Sequence, residues 1–157
     1  MIVVFGSLNL DLVMAVDVLV VNEVEAASLA QALGVTGAAP APAGPAEVGR
    51  ELAARCDLIC IVILGSAGAV AYTAAGGWAV EALAITPVDT TAAGDAFVGV
   101  LAAALDSGAE LPAALTRASV AAGLACLEAG AQTSLPDAQE IERRLPELAP
   151  ARALARP

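Results

Sequence analysis

VLVVNEVEAASLAQALG (residues 18–34) changes its periodicity at a single residue, and that change sets the fold class. Val18–Val21 is a short, β-branched, wholly apolar run, the pattern of a strand buried on both faces. From Glu23 to Leu33 the apolar spacing becomes helical, through Val24, Ala27, Leu29 to Ala30, and Leu33. Acidic residues occupy the first turn, where the helix dipole favours them, and Gly34 lies just past the end. Asn22 is then the natural N-cap. A buried strand that passes directly into a helix is the repeating step of an α/β fold.

Working outward, the same alternation continues. Ile2–Phe5 reads as a strand ended by Gly6. TGAAPAPAGPAE (36–47) has no apolar period and leads as a loop into a short helix, Glu47–Arg55. Leu58–Leu64 is a strand and GSAG (65–68) a turn; Ala69–Thr73 and Trp78–Leu83 form a hairpin across AAGG. Three helices follow, Asp95–Asp106, Leu111–Leu127 and Asp137–Leu145, punctuated by Gly108, Gly130 and Pro136. The tail APARALARP (149–157) lacks an apolar face and is expected to be frayed or loosely docked. These elements predict an α/β domain with a largely parallel sheet.

Composition narrows the function. The 157 residues suit one domain, 59% are hydrophobic and 15% charged, so most element faces should be buried. A net charge of -10, with 7 basic and 17 acidic residues and no His, argues against a nucleic-acid phosphate surface. The longest candidate membrane stretch, Leu58–Val80, is broken by glycines and leaves only LICIVIL (58–64), far short of a span. MIVVFGSLNLDL lacks the basic start of a secretory signal, so a cytoplasmic location is expected. Cys56, Cys60 and Cys126, without His or a CxxC pair, read as buried free thiols rather than zinc ligands.

VDTTAAGDAF (88–97) is where chemistry is concentrated. Small residues at Ala92, Ala93 and Gly94 let backbone N–H groups converge at a helix start, an anion site supported by the dipole. Asp95 beside it is either an N-cap or a general base on an attacking hydroxyl. No lysine occurs, so P-loop and protein-kinase phosphate chemistry in their usual forms are excluded, and the lack of G-x-G-x-x-G removes the main argument for a dinucleotide oxidoreductase.

DTTAAGDAF resembles the D-T-x-G/A-A-G-D signature of the ribokinase-like (PfkB) sugar kinases. GSLNLDL (6–12) is similar to that family's opening sugar-binding turn, Asn22-Glu23-Val24-Glu25 to its N-x-x-E motif, and GAQTSLP (130–136) to a stretch typical of ribokinases. The resemblance implies a three-layer α/β/α core and an ATP-dependent kinase acting on a small sugar, ribose favoured. It implies Asp95 as base, the backbone of Ala92, Ala93 and Gly94 as anion hole, and Asn22 with Glu25 organising Mg²⁺ and phosphate. Gly65, Ser66, Ala67 and Gly68 would lie along the adenosine, with Ser119 near the adenine. Asn9 and Asp11 would hold sugar hydroxyls, beside Asp95. Asp89, Ser134 and the backbone at Thr91, Ala125, Glu128 and Gly130 would bind a monovalent cation, K⁺. Each has a plain alternative: capping for Asn22, Glu25 and Asp89, a simple turn for residues 65–68 and for Asn9 and Asp11, helix packing for Ser119.

One place departs from that family. Only residues 6–17 separate the Ile2–Phe5 strand from Val18, barely the length of a parallel crossover, and SLNLDLVMAVD has neither a helical period nor a turn signal to make one. The family's β lid and glycine-rich sugar loop belong at that seam. The expectation is therefore a single truncated domain over 1–157: a first strand and sugar turn (1–17), an ATP-binding and catalytic half (18–149) and a loose tail (150–157). Two functions follow, a sugar kinase whose exposed site favours hydrolysis, or a non-catalytic nucleotide-binding or assembly module whose open sheet edge seeks a second copy.

Overall fold

The computed structural model describes residues 17–34 and 44–155. The expected strand at Ile2–Phe5, the sugar-turn residues Asn9 and Asp11, and most of the Pro-rich loop lie outside the described residues.

Packing divides the described chain into two compact units. One carries the described residues up to Leu64, then Val70–Trp78 and the residues from Ala153; the other carries Gly65–Ala69 and Ala79–Arg152.

The first unit is built on a sheet with strand order β1-β2-β3-β4-β5, each strand belonging to this unit apart from end residues. β1 (Val18–Asn22) pairs in parallel with β2 (Ile59–Ile63), Val18 opposite Ile59 and Asn22 opposite Ile63. The crossover between them carries α1 (Glu23–Ala32) and α2 (Pro45–Cys56), as a parallel connection requires. α2 starts two residues earlier than the periodicity suggests because Pro45 is a favourable first helical residue. Both helices pack on β2. The shared core includes Leu52, Ile61 and Val62, all nearly inaccessible, each worth about 1.5–3 kcal/mol of burial. Gly49 is where α2 comes closest: a Cβ there would lie 2.7 Å from Val62 Cγ2.

β3 (Ala69–Thr73) and β4 (Gly76–Val80) follow through connections too short for parallel crossovers, so the sheet is mixed. Here the bounds of the expected hairpin are corrected. The turn is Ala74–Ala75 rather than all of AAGG, because the Thr73 hydroxyl accepts from Ala75 N–H and donates to Gly76 carbonyl, both at 3.1 Å. Gly76 and Gly77 are therefore strand residues, and the strand ends at Val80 rather than Leu83. Within the tail, Arg152–Leu154 forms β5, docked at the β4 edge.

The second unit is helical. α3 (Ala93–Asp106) packs against α4 (Leu111–Ala125), and α4 against α5 (Ala138–Arg144). A 3-10 turn, Leu145–Glu147, takes over the end of the third predicted helix. Phe97, Leu101, Leu115, Val120 and Ile141 fill the interior. α4 ends two residues before Leu127 because Cys126 caps it and turns its carbonyl outward to other donors.

Cys60 and Cys126 are buried, but Cys56 is exposed at the end of α2, which corrects the expectation of three buried thiols. Burial, with the nearby Cys56 adding to it, pushes the Cys60 thiol up to about 12. A thiol-reactive chromophore should therefore label Cys56 rapidly in the native chain and reach all 3 cysteines only after unfolding. Rapid native labelling of Cys60 would contradict this packing.

Candidate functional site

α1 and α5 close their first turns with their own side chains. Asn22 Oδ1 accepts from Glu25 N–H and Glu25 Oε2 accepts from Asn22 N–H, both at 2.9 Å. Asp137 and Glu140 form the same reciprocal pair at α5. The N-x-x-E motif is thus a capping box, the plain alternative to its phosphate role. Glu25 retains its other carboxylate oxygen for further contacts.

α3 is different. Its N-cap is Ala92, and no side chain caps the helix. Asp95 sits in the first turn and is exposed, so the alternative that made Asp95 the N-cap is corrected. Ala93 N–H is already engaged, donating to Thr90 carbonyl at 3.2 Å. Helix geometry leaves the next amides, of Gly94 and Asp95, without intrahelical acceptors. Of the expected Ala92, Ala93 and Gly94 donors, Ala93 is thus taken up within the turn, while Gly94 stays available with the Asp95 amide beside it. A Cβ on Gly94 would meet nothing within 4 Å, so the approach to this turn is open.

The loop before α3 is held from the side. Asp89 Oδ1 accepts from Thr91 N–H at 3.0 Å and from the Thr91 hydroxyl at 2.5 Å, while Asp89 Oδ2 accepts from Gly130 N–H at 3.0 Å. Val88 N–H donates to Cys126 carbonyl at 2.7 Å, and the buried Ser134 hydroxyl donates to Gly130 carbonyl. Asp89, Thr91, Gly130 and Ser134 thus share one hydrogen-bonded cluster. Ala125 and Glu128 lie on the intervening chain, Ala125 buried and Glu128 exposed. Residues 41 apart in sequence meet at one carboxylate, which spacing alone does not reveal. The cysteine carbonyl that holds Val88 was also outside the sequence reading.

The Thr91 hydroxyl first, then the Gly130 and Thr91 amides, holds the Asp89 carboxyl below its ordinary value of 3.8. A depressed folded-state pKa contributes stability above the unfolded value that is lost as pH falls through the folded one. Asp89→Asn should accordingly flatten the acid limb of the stability profile below about pH 4. Urea titrations of both proteins from pH 2 to 6 check this; parallel acid limbs would contradict it.

Gly65–Ala67 is a 3-10 turn rather than a simple one, followed by Gly68 at φ +89°. A Cβ on Gly68 would fall 2.0 Å from Val80 carbonyl oxygen, so this glycine permits backbone contact. Ser119 is 4% exposed and its hydroxyl donates to Glu81 carbonyl at 2.6 Å. That bond ties α4 to the chain just after β4 and gives the Ser119 hydroxyl a partner within the fold.

Comparison with known proteins decides the family, since the pfkB family carbohydrate kinase pattern matches residues 5–138. The chain belongs to the pfkB carbohydrate kinase family. This pfkB-family chain is similar to the ribokinase of Bacillus subtilis (strain 168), 44% identical over 61 residues, which cover 39% of the chain and 21% of that protein. Its fold resembles Thermotoga maritima ribokinase with a TM-score of 0.75 at 27% identity, over 83% of this chain and 42% of that one. It also resembles Arabidopsis thaliana ribokinase complexed with ribose and ATP, with a TM-score of 0.71 at 26% identity, over 83% and 41%. The pfkB-family chain therefore spans less than half the length of these solved relatives. The α/β ribokinase-like fold is as the sequence led one to expect.

A nucleotide carrying magnesium fits the residues in kind. Among the described residues no cluster of three or more His, Cys, Asp or Glu side chains forms a metal cage. The free carboxylate oxygen of Glu25 is of the hard kind that magnesium prefers. The residues also suit a monovalent cation in kind: about four acceptor positions exist on a carboxylate, and Thr91 and Gly130 leave one on Asp89. No helix among the described residues is long and apolar enough to cross a membrane.

Proposed function

We propose that this chain carries the phosphoryl-transfer machinery of a ribokinase-type sugar kinase, moving the γ-phosphoryl group of ATP to a sugar primary hydroxyl, with ribose favoured. The first turn of α3 carries the reading: it is uncapped, open above Gly94 and bears an exposed carboxylate, Asp95. That combination suits anion capture and proton removal at one place. The Arabidopsis ribokinase, which binds ribose and ATP, supports the choice of sugar and nucleotide.

When bound, ATP with magnesium supplies the phosphoryl group and neutralises part of its charge. The chain's own residues do the rest. Asp95 accepts the hydroxyl proton as the sugar oxygen bonds to phosphorus and ADP departs. Gly94 and Asp95 amides meet the charge on the phosphoryl oxygens, aided by the helix dipole. Asp89, Thr91, Gly130 and Ser134 keep the loop ahead of that turn in place, and a potassium ion there would stiffen it further. By the family resemblance, Asn22 and Glu25 would be the residues to hold magnesium and phosphate, and Gly65–Gly68 those to hold the adenosine.

ADP release measured across ribose, fructose and adenosine, with ATP and magnesium, tests the proposal. Ribose should give the largest stimulation over the sugar-free rate. Phosphorylation of another sugar with ribose inert would overturn the substrate. Gly94→Ala gives a second check: with open space around it, a methyl should raise helix stability by about 0.5–1 kcal/mol. It should nevertheless slow turnover, because the methyl stands where the phosphoryl group approaches.

A second reading keeps the open first turn of α3 as an anion site without turnover, in a nucleotide-binding or assembly module. Nucleotide-dependent association in size-exclusion chromatography, with no sugar-dependent ADP release, would select it.

A further inference from the structure

β5 (Arg152–Leu154) covers the outer edge of β4, a run of GGWAV with no charge to deter pairing. Uncharged, glycine-bearing edges readily accept another strand. Yet β5 is only three residues long, and two of them, Arg152 and Ala153, are exposed. Side-chain burial therefore holds it weakly, and its hold is mainly backbone hydrogen bonding. Just before the strand, Ala151 N–H donates to the Thr116 hydroxyl at 3.0 Å, tethering the segment on α4. Such a strand stays in place because its tether keeps it at an effective concentration of roughly mM.

We infer that the β4 edge is a strand-acceptor site, filled in cis by the chain's own C-terminal segment and open to the same extended segment supplied in trans. The chemistry is β-augmentation: main-chain hydrogen bonds give the affinity, so the partner is a short, uncharged-to-basic extended peptide like APARALARP (149–157). The site is separate from phosphoryl transfer and does not depend on it.

The test uses the full chain carrying Ala153→Pro with Leu154→Pro, which removes two of the strand's three amides, one from each side of the strand. Hydrogen exchange of the β4 amides should accelerate about tenfold or more, while Leu111–Ala125 stays protected. Adding the peptide APARALARP at several times the roughly mM tether concentration should restore β4 protection, and a peptide with the same two prolines should not. Thr116→Val, which removes the tether together with the hydroxyl's own bond to Pro112 carbonyl inside α4, should speed β4 exchange by about fivefold, the worth of the tether's one hydrogen bond. Unchanged β4 exchange in the double variant, no rescue by the peptide, or loss of protection throughout α4 would each overturn the inference.

Discussion

Asp95→Asn should lower sugar-dependent ADP release by roughly 10²–10⁴, the usual share of general-base catalysis, while nucleotide affinity stays within a few-fold. The split follows from where the residue sits. Asp95 lies in the first turn of α3 but is not its N-cap, which is Ala92. An amide at this position therefore removes no capping bond. It removes only the favourable interaction of a negative charge with the helix dipole, about 0.3–1 kcal/mol. Thermal melting should shift by no more than roughly 2–4 °C for that loss. The anion-binding donors are backbone amides, and the substitution leaves them in place. Turnover and melting measured on the same two proteins thus separate a catalytic carboxylate from a merely favourable surface charge. Unchanged turnover would remove Asp95 from the mechanism and, with it, the main reason for assigning phosphoryl transfer to this turn.

The legible parts of the chain were those whose cause is local. Asn22 is readable as a cap because the strand ends and the helix begins on either side of it, and the reciprocal bonds with Glu25 need only three residues of spacing. β2 is readable from its unbroken apolar run, since a strand buried on both faces has no polar positions to confuse it. The hairpin was legible, but its turn is narrower than AAGG suggests, because glycines are the commoner turn signal. Here a threonine hydroxyl closes an Ala-Ala turn instead, and Gly77 is kept small by the Tyr72 ring, whose Cδ1 would lie 2.9 Å from a Cβ. Nothing in the order of residues announces that contact.

β5 escaped for a related reason. A three-residue edge strand held by main-chain bonds imposes no apolar period, so the tail looked featureless. At the candidate site, the residue types around Asp89 were visible but their connections were not. Gly130 reaches Asp89 only after α3 and α4 have folded back on each other, and the Cys126 carbonyl that fixes Val88 has no sequence signature at all. The identity of the Asp95 carboxylate was legible; which amides stand free beside it depended on the Ala93–Thr90 turn.

Gly68→Ala should be the most destabilising single substitution proposed, on the order of 4 kcal/mol or more, without touching the first turn of α3. Two independent penalties coincide there. The backbone is at φ +89°, a region that side-chain-bearing residues rarely enter, worth about 1–3 kcal/mol. The added methyl would also sit 2.0 Å from Val80 carbonyl oxygen and 2.8 Å from Glu81 Cα, and both obstacles are main chain that no rotamer change can move aside. Relief requires Gly65–Gly68 to withdraw from the chain after β4, where Glu81 carbonyl also takes the Ser119 hydroxyl. The melting midpoint should fall by roughly 8–16 °C at the 2–4 °C per kcal/mol expected for a chain of this size. Gly65→Ala is the control, since Gly65 also has positive φ, +55°, but a Cβ there meets nothing within 4 Å. It should cost only the backbone penalty. Equal losses for the two alanines would show that backbone conformation alone fixes this turn; a much larger loss at Gly68 shows that it is pinned by contact, the rigidity expected of a surface against which a nucleotide could rest.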